Sequence, residues 1–161
     1  MLSLVIHAVL GVATTAFVVQ RNRRLFTGEW PGKRVSPIEG VLYVLACTSL
    51  AIGWYCNIRY TQEYGSEASW IHFTESLFTN WAAASGAQDY IIANVFLFPI
   101  WTILDGRRRG IAVPWGFFVM SLFTSFAFSM AAYLAFVERQ VRYDRVHAPD
   151  SVPPAATGTV S

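Results

Sequence analysis

Phe73 to Arg109 reads FTESLFTNWAAASGAQDYIIANVFLFPIWTILDGRRR, and how this stretch divides decides the fold. At 100° per residue from Trp70 to Trp81, the residues Trp70, Phe73, Leu77 and Trp81 fall on one face. His72, Glu75, Ser76 and Thr79 fall opposite. An aromatic face backed by a polar one predicts a helix of about residues 70–84 lying along a membrane surface. Gly86 offers it a stop. An apolar run then extends from Gln88 to Leu104 and is closed by Arg107, Arg108 and Arg109. Pro99 inside that run removes one backbone donor, so a bend is expected, with the Val95 carbonyl needing another partner.

Working outward, three more runs have the same character: Leu2 to Val19, Gly40 to Asn57 and Pro114 to Val137. Of the 161 residues, 54% are hydrophobic and 14% charged, whereas a soluble domain carries about a quarter charged residues. Uncharged apolar runs of roughly 18 or more residues read as membrane spans. The expected fold is therefore an all-α membrane protein of four transmembrane helices, at 2–19, 40–57, 88–104 and 114–137. The interfacial amphipathic helix lies between the second and third. Residues 1–145 form this helical domain, and the polar segment 146–161 is expected to be disordered. The first run has no basic residue before it and Arg21, Arg23 and Arg24 after it, the pattern of a retained anchor rather than a cleaved leader.

Local signals sharpen this scheme. Ser36, Pro37 and Glu39 spell a capping box with proline at the first helical position. Trp54 and Tyr55 mark the far end of the second run as lying at headgroup depth. Ser121, Ser125 and Ser129 recur every fourth residue, and Gly11 falls on a small-residue stripe of the first run with His7 and Thr15. Such stripes allow close helix packing in lipid. Cys47 and Cys56 sit about 13 Å apart along one helix, too far to bridge.

With four spans, the Arg21 to Arg34 loop and the Arg107 to Arg109 loop share the cytoplasmic side, and both termini are non-cytoplasmic. Arg139, Arg142 and Arg145 then stand on the wrong side for the positive-inside rule.

From about Val41 to Arg139 the chain resembles a bacterial family of small integral membrane proteins, domain of unknown function 2834. The likeness rests on FTESLFTN at Phe73 to Asn80, on Asp89, on Trp101 followed by the GRRRG turn, and on SFAFSMAAYLAFVER at Ser125 to Arg139. The resemblance implies a three-helix membrane unit with a short segment of the Leu77-Phe78-x-Asn80 kind before its second helix, in a bacterial inner membrane. Where that family would have proline near the end of the last helix, this chain has Ser129-Met130-Ala131-Ala132. The family has no established activity.

Composition weighs on function as well. A net charge of +2 gives no sign of nucleic-acid binding, and the arginines gather in short clusters beside apolar runs. No metal-ligand spacing, nucleophile motif or phosphate loop is present, so no cofactor or metal is expected. The first reading is a non-catalytic membrane component, with the lipid bilayer, protein subunits or a second copy as partners. A small transporter is the alternative, set back by the lack of Asp and Glu inside the runs. An interfacial enzyme acting on a lipid or isoprenoid is the third reading. Any ligand site is expected where Asp89, Tyr90 and Asn94 meet the polar face carrying His72 and Glu75.

Overall fold

The computed structural model describes residues 2–147 and contains six helices and no strand among them. Helix α1 is Leu2–Arg21. Helix α2, Pro37–Tyr64, starts at the expected capping box: Ser36 Oγ accepts from the Glu39 amide at 3.2 Å, and the Ser36 amide donates to Glu39 Oε2 at 3.4 Å. It runs past the expected end at Asn57 because nothing interrupts it before Gly65, whose φ of 53° takes the chain out of the helix. Three helical stretches, Leu4–Arg21, Pro37–Glu67 and Trp81–Arg108, are long and apolar enough to cross a membrane among the described residues.

The segment after α2 differs from the expected continuous helix of 70–84. Helix α3 covers only Trp70–Ser76, capped by Ser69 through the His72 amide. The break falls at Leu77 to Asn80, because Asn80 accepts from the Ala83 amide at 2.9 Å and caps a new helix at Trp81. Residues 81–84 therefore belong to helix α4, Trp81–Arg108. Gly86 is an interior residue of α4, not a stop. A glycine inside a helix costs about 1 kcal/mol, less than propagation through the apolar run returns. The distortion expected at Pro99 takes the form of a π turn over Ile92–Leu97 just upstream, where the Phe98 amide donates to the Ala93 carbonyl five residues back.

The fourth apolar run is not one helix. It breaks at Thr124 and Ser125 into α5, Gly116–Phe123, and α6, Phe126–His147. Thr124 leaves helical geometry at φ −118°, ψ −96°, and Ser125 Oγ accepts the Phe128 amide at 3.0 Å, capping α6. The serine read as part of a packing stripe is thus also a helix start. Of the segment 146–161, Val146 and His147 close α6 and the rest lies outside the described residues.

The contacts of α5 and α6 fix their directions. Gly116, at the start of α5, lies against Val18 near the end of α1, while Phe123, at the end of α5, lies against Gly11 in the middle of α1. Ser125 then meets Ser49 and Gly53, mid-way along α2. Further on, Arg139 reaches Glu39 and the Leu25 carbonyl. The pair therefore goes up to the middle of the bundle and comes back to the end it left. A core of Val18, Leu25, Phe98, Ile111, Phe117, Met120, Tyr133 and Phe136 fills the space between this hairpin and the ends of α1 and α4.

Gly11 is one point where that packing is tight against backbone. A Cβ there would stand 2.8 Å from the Phe123 carbonyl oxygen and 3.2 Å from Thr124 Cγ2, and a backbone carbonyl has little room to retreat. Gly11→Ala is expected to destabilise the protein by about 1–3 kcal/mol despite the better helix propensity of alanine. Denaturant titration in detergent, reading helix content, checks this.

Candidate functional site

Polar side chains gather at two levels. The first is the turn of the hairpin. Ser49 and Ser125 share a hydrogen bond at 2.9 Å, and Thr124 Oγ1 lies 3.3 Å from Ser129 Oγ while donating to the Met120 carbonyl at 2.8 Å. Ser121 Oγ stands 2.8 Å from Asn94 Oδ1 and 2.7 Å from the Phe118 carbonyl, with one proton to share between them. Asn94 Nδ2 donates to Tyr90 Oη at 3.3 Å. Asn94 is buried, and the π turn of α4 lies around it. The partner that a buried amide requires is thus Ser121 of the serine stripe. Ser121, Ser125 and Ser129 all face other parts of the chain.

Of the candidate ligand residues, Tyr90 and Asn94 are joined by a hydrogen bond, whereas His72 and Asp89 bond elsewhere and Glu75 is exposed. His72 Nδ1 pairs with Tyr60 Oη at 2.7 Å, and its ring lies 4.5 Å from that of Tyr64, so α3 is held against the end of α2. Glu75 is exposed and borders a shallow cavity with Trp70, Ile71 and Thr74. Asp89 is exposed and takes its bond from the neighbouring Gln88 side chain. Tyr90 and Asn94 are joined to each other and turn to α5. His7 packs by its ring against Trp70 and Phe123, at 5.4 and 6.0 Å.

The second level is the end of the bundle where the arginines collect, and its central residue carries more than a cap. Glu39 is 0% exposed and Arg139 5%. Glu39 Oε1 accepts from Arg139 Nε at 2.6 Å and from Tyr43 Oη at 2.7 Å, and Oε2 accepts from Arg142 and from the Ser36 amide. Arg139 also donates to the Leu25 carbonyl and lies over the Phe26 ring. Arg142 donates to the carbonyls of Gly32 and Arg34 and pairs with Glu138. One carboxylate thus ties the loop after α1, the start of α2 and the last turns of α6 together. Burying a carboxylate is tolerated when charge and hydrogen bonds compensate it on this scale.

Two further clasps act at the same end. Asn22, fully buried, donates to the carbonyls of Val18 and Ala112 and accepts from the Ala112 amide at 2.8 Å. It pins the α4–α5 turn beside Val113, which holds a φ of 47° unusual for a β-branched residue. Asp105 accepts both Tyr133 Oη and Arg109 Nε. The bond that Arg109 donates to Asp105 holds its guanidinium above its ordinary range.

Sequence reasoning took Glu39 for a cap only and passed over Asn22. The available signal for Glu39 was the misplaced charge of Arg139 and Arg142, spaced to share one helix face, which required a buried or same-side acid. As for cations, no group of three or more His, Cys, Asp and Glu residues that could hold a metal ion occurs among the described residues.

No curated protein and no solved structure matches the chain. The family described as "Protein of unknown function DUF2834" matches residues 41–139, a stretch that runs from the second residue after Glu39 to Arg139 and leaves α1 outside. With well over half of its length matched, the chain belongs to this family of unknown function, DUF2834.

Proposed function

We propose that the chain is a multi-pass protein of three spans, α1, α2 and α4, with α5 and α6 forming a re-entrant hairpin, and that it serves as a non-catalytic, lipid-interacting component of a membrane. The observation that carries this is the bonding of Arg139 and Arg142 to Glu39 and to the loop after α1. It brings the end of α6 beside the Arg21 to Arg34 loop, and Asn22 and Arg24 bring the Arg107 to Arg109 turn there too. Every basic residue except Arg59 then belongs to one end, which the positive-inside rule assigns to the cytoplasm. The C-terminal end of α6 is cytoplasmic and the start of α1 is not.

Length supports the same reading. Helix α5 has 8 residues and rises about 12 Å, less than half of a hydrocarbon layer of roughly 30 Å. A non-helical turn at such depth is stable only where protein surrounds it, and Ser49, Gly11 and Gly53 supply that surrounding. The polar groups at this depth are bonded to each other, which favours a packing role. On the opposite face, Trp70 and Trp81, 60% and 92% exposed, are anchors suited to headgroup depth.

Transport is the second reading, favoured by one feature: two helix ends meet at mid-depth, the device by which transporters and channels offer backbone groups to solutes. Native mass spectrometry after gentle detergent extraction separates the two. Retained phospholipid or a stoichiometric protein subunit is the expected result. A bare chain whose reconstituted vesicles pass small solutes faster than empty vesicles would overturn the first reading in favour of the second.

A further inference from the structure

Where the end of α1 meets the start of α5, Phe17 and Trp115 stay 40% and 46% exposed with their ring centroids 6.1 Å apart. The Arg21 guanidinium stands over the Phe17 ring, 6.0 Å from its centroid. We infer that this aromatic pair and Arg21 form a docking surface for an anionic phospholipid, with its phosphate on the arginine and its acyl chains against the rings.

Phe17 and Arg21 are four residues apart and so share one face of α1, and Arg21 is exposed as the last residue of that helix. The neighbouring Asn22 bonds to Ala112, and Arg24 donates to the Gly110 carbonyl. These bonds fix the segment carrying Arg21, Arg23 and Arg24 beside the turn carrying Arg107 and Arg108. Among the described residues none of these arginines forms an ion pair. The acids at this end are engaged elsewhere: Asp105 with Arg109 and Tyr133, Glu39 and Glu138 with Arg142, Asp144 with Gln140 and Glu29 with Lys33. Asp105 reaches Arg108 through its field alone. Like charges gathered in this way raise the local positive potential, and an anion with several acceptor oxygens relieves it. The positive-inside rule accounts for arginines at this end. It requires neither that the neighbouring acids be occupied nor that an exposed tryptophan stand beside the arginines.

The choice of a lipid over a free anion rests on the rings and on the membrane orientation and lipid-interacting role proposed above. Exposed phenylalanine and tryptophan rings offer a free phosphate nothing, whereas they match the glycerol and acyl region of a lipid whose phosphate lies level with the arginine. Arg21 closes the apolar stretch Leu4–Arg21. Headgroup depth on the arginine-bearing side therefore falls at this residue, where tryptophan and basic side chains meet anionic lipid.

The test titrates short-chain phosphatidylglycerol and phosphatidylcholine separately into the full chain in detergent, with binding read by native mass spectrometry and unfolding temperature recorded alongside. Wild-type protein should bind phosphatidylglycerol in preference to phosphatidylcholine. Arg21→Gln should weaken phosphatidylglycerol roughly fivefold, the effect of one headgroup-level charge, and leave phosphatidylcholine binding and the unfolding temperature unchanged. Arg145→Gln, which removes the same charge from the same end, should weaken it less than about twofold, because screening confines the effect to nearby charges. Trp115→Ala should weaken both lipids about threefold; should that variant unfold, Arg21→Gln against Arg145→Gln decides alone. Equal losses in those two variants would overturn the docking surface, because binding would then follow bulk charge. Displacement of phosphatidylglycerol by inorganic phosphate at the same concentration would overturn it too, because the rings would then contribute nothing. Phosphatidylglycerol and phosphatidylcholine bound alike would overturn this inference and leave the lipid-interacting role standing, whereas a chain that retains neither lipid would remove that role as well.

Discussion

Glu39→Leu is expected to lower unfolding stability by about 3–5 kcal/mol, the cost of leaving buried partners of an ion pair without their counter-charge. Arg139, 5% exposed, and Arg142 both direct guanidinium nitrogens at this one carboxylate. Removing it also frees the Tyr43 hydroxyl and one half of the capping box. Denaturant titration in detergent measures the loss. The double variant Glu39→Leu/Arg139→Leu should be less destabilised than the sum of its single variants, since it no longer buries the Arg139 charge. Strict additivity, or a Glu39→Leu protein as stable as wild type, would mean that the cluster does not hold α6 to the loop.

Phe117→Ala comes next in size. Phe117 is fully buried, with Tyr133 and Phe136 set edge-on to it, each at 5.2 Å between ring centroids. Truncating a buried phenylalanine costs about 3–5 kcal/mol in water-soluble cores. Here the low end, about 3 kcal/mol, is expected, because lipid is as apolar as the core and what is lost is packing and not transfer from water. Val12, 71% exposed, serves as the comparison: Val12→Ala should change stability by less than about 0.5 kcal/mol. Equal effects at the two positions would contradict the placement of the core between the hairpin and α1.

The helical, apolar character of the chain was readable from run length, and the start of α2 was readable from Ser36, Pro37 and Glu39, because both depend on neighbours in sequence. The break at Thr124 and Ser125 was not. No proline or glycine marks it, the run there is uncharged, and serines at four-residue spacing fit an unbroken packing stripe equally well. What interrupts the helix is tertiary: Ser49 and Gly53 of α2 receive Ser125, and Gly11 leaves room for the Phe123 carbonyl. The split of the expected surface helix at Asn80 has the opposite origin, since an asparagine cap is a local signal that the periodicity of Trp70, Phe73, Leu77 and Trp81 overrode. As to the candidate site, Asn94, placed by the sequence among the candidate ligand residues, is bonded to Ser121, which was read separately as a packing residue. Asn22 lay beyond reach because its partner Ala112 is far along the chain, and the role of Glu39 was signalled only by the misplaced charge of Arg139 and Arg142.

In the proposed orientation, the fourth run turns back and Arg139, Arg142 and Arg145 no longer stand against the positive-inside rule. Single cysteines placed at Arg145, Arg108 and Glu67, in a background with Cys47 and Cys56 replaced by serine, can be labelled with a membrane-impermeant maleimide in sealed vesicles of known orientation. The account predicts that Arg145→Cys and Arg108→Cys label from the same side and Glu67→Cys from the other. Labelling of Arg145→Cys from the side that reaches Glu67→Cys would mean that the fourth run crosses the membrane, and would contradict the re-entrant hairpin.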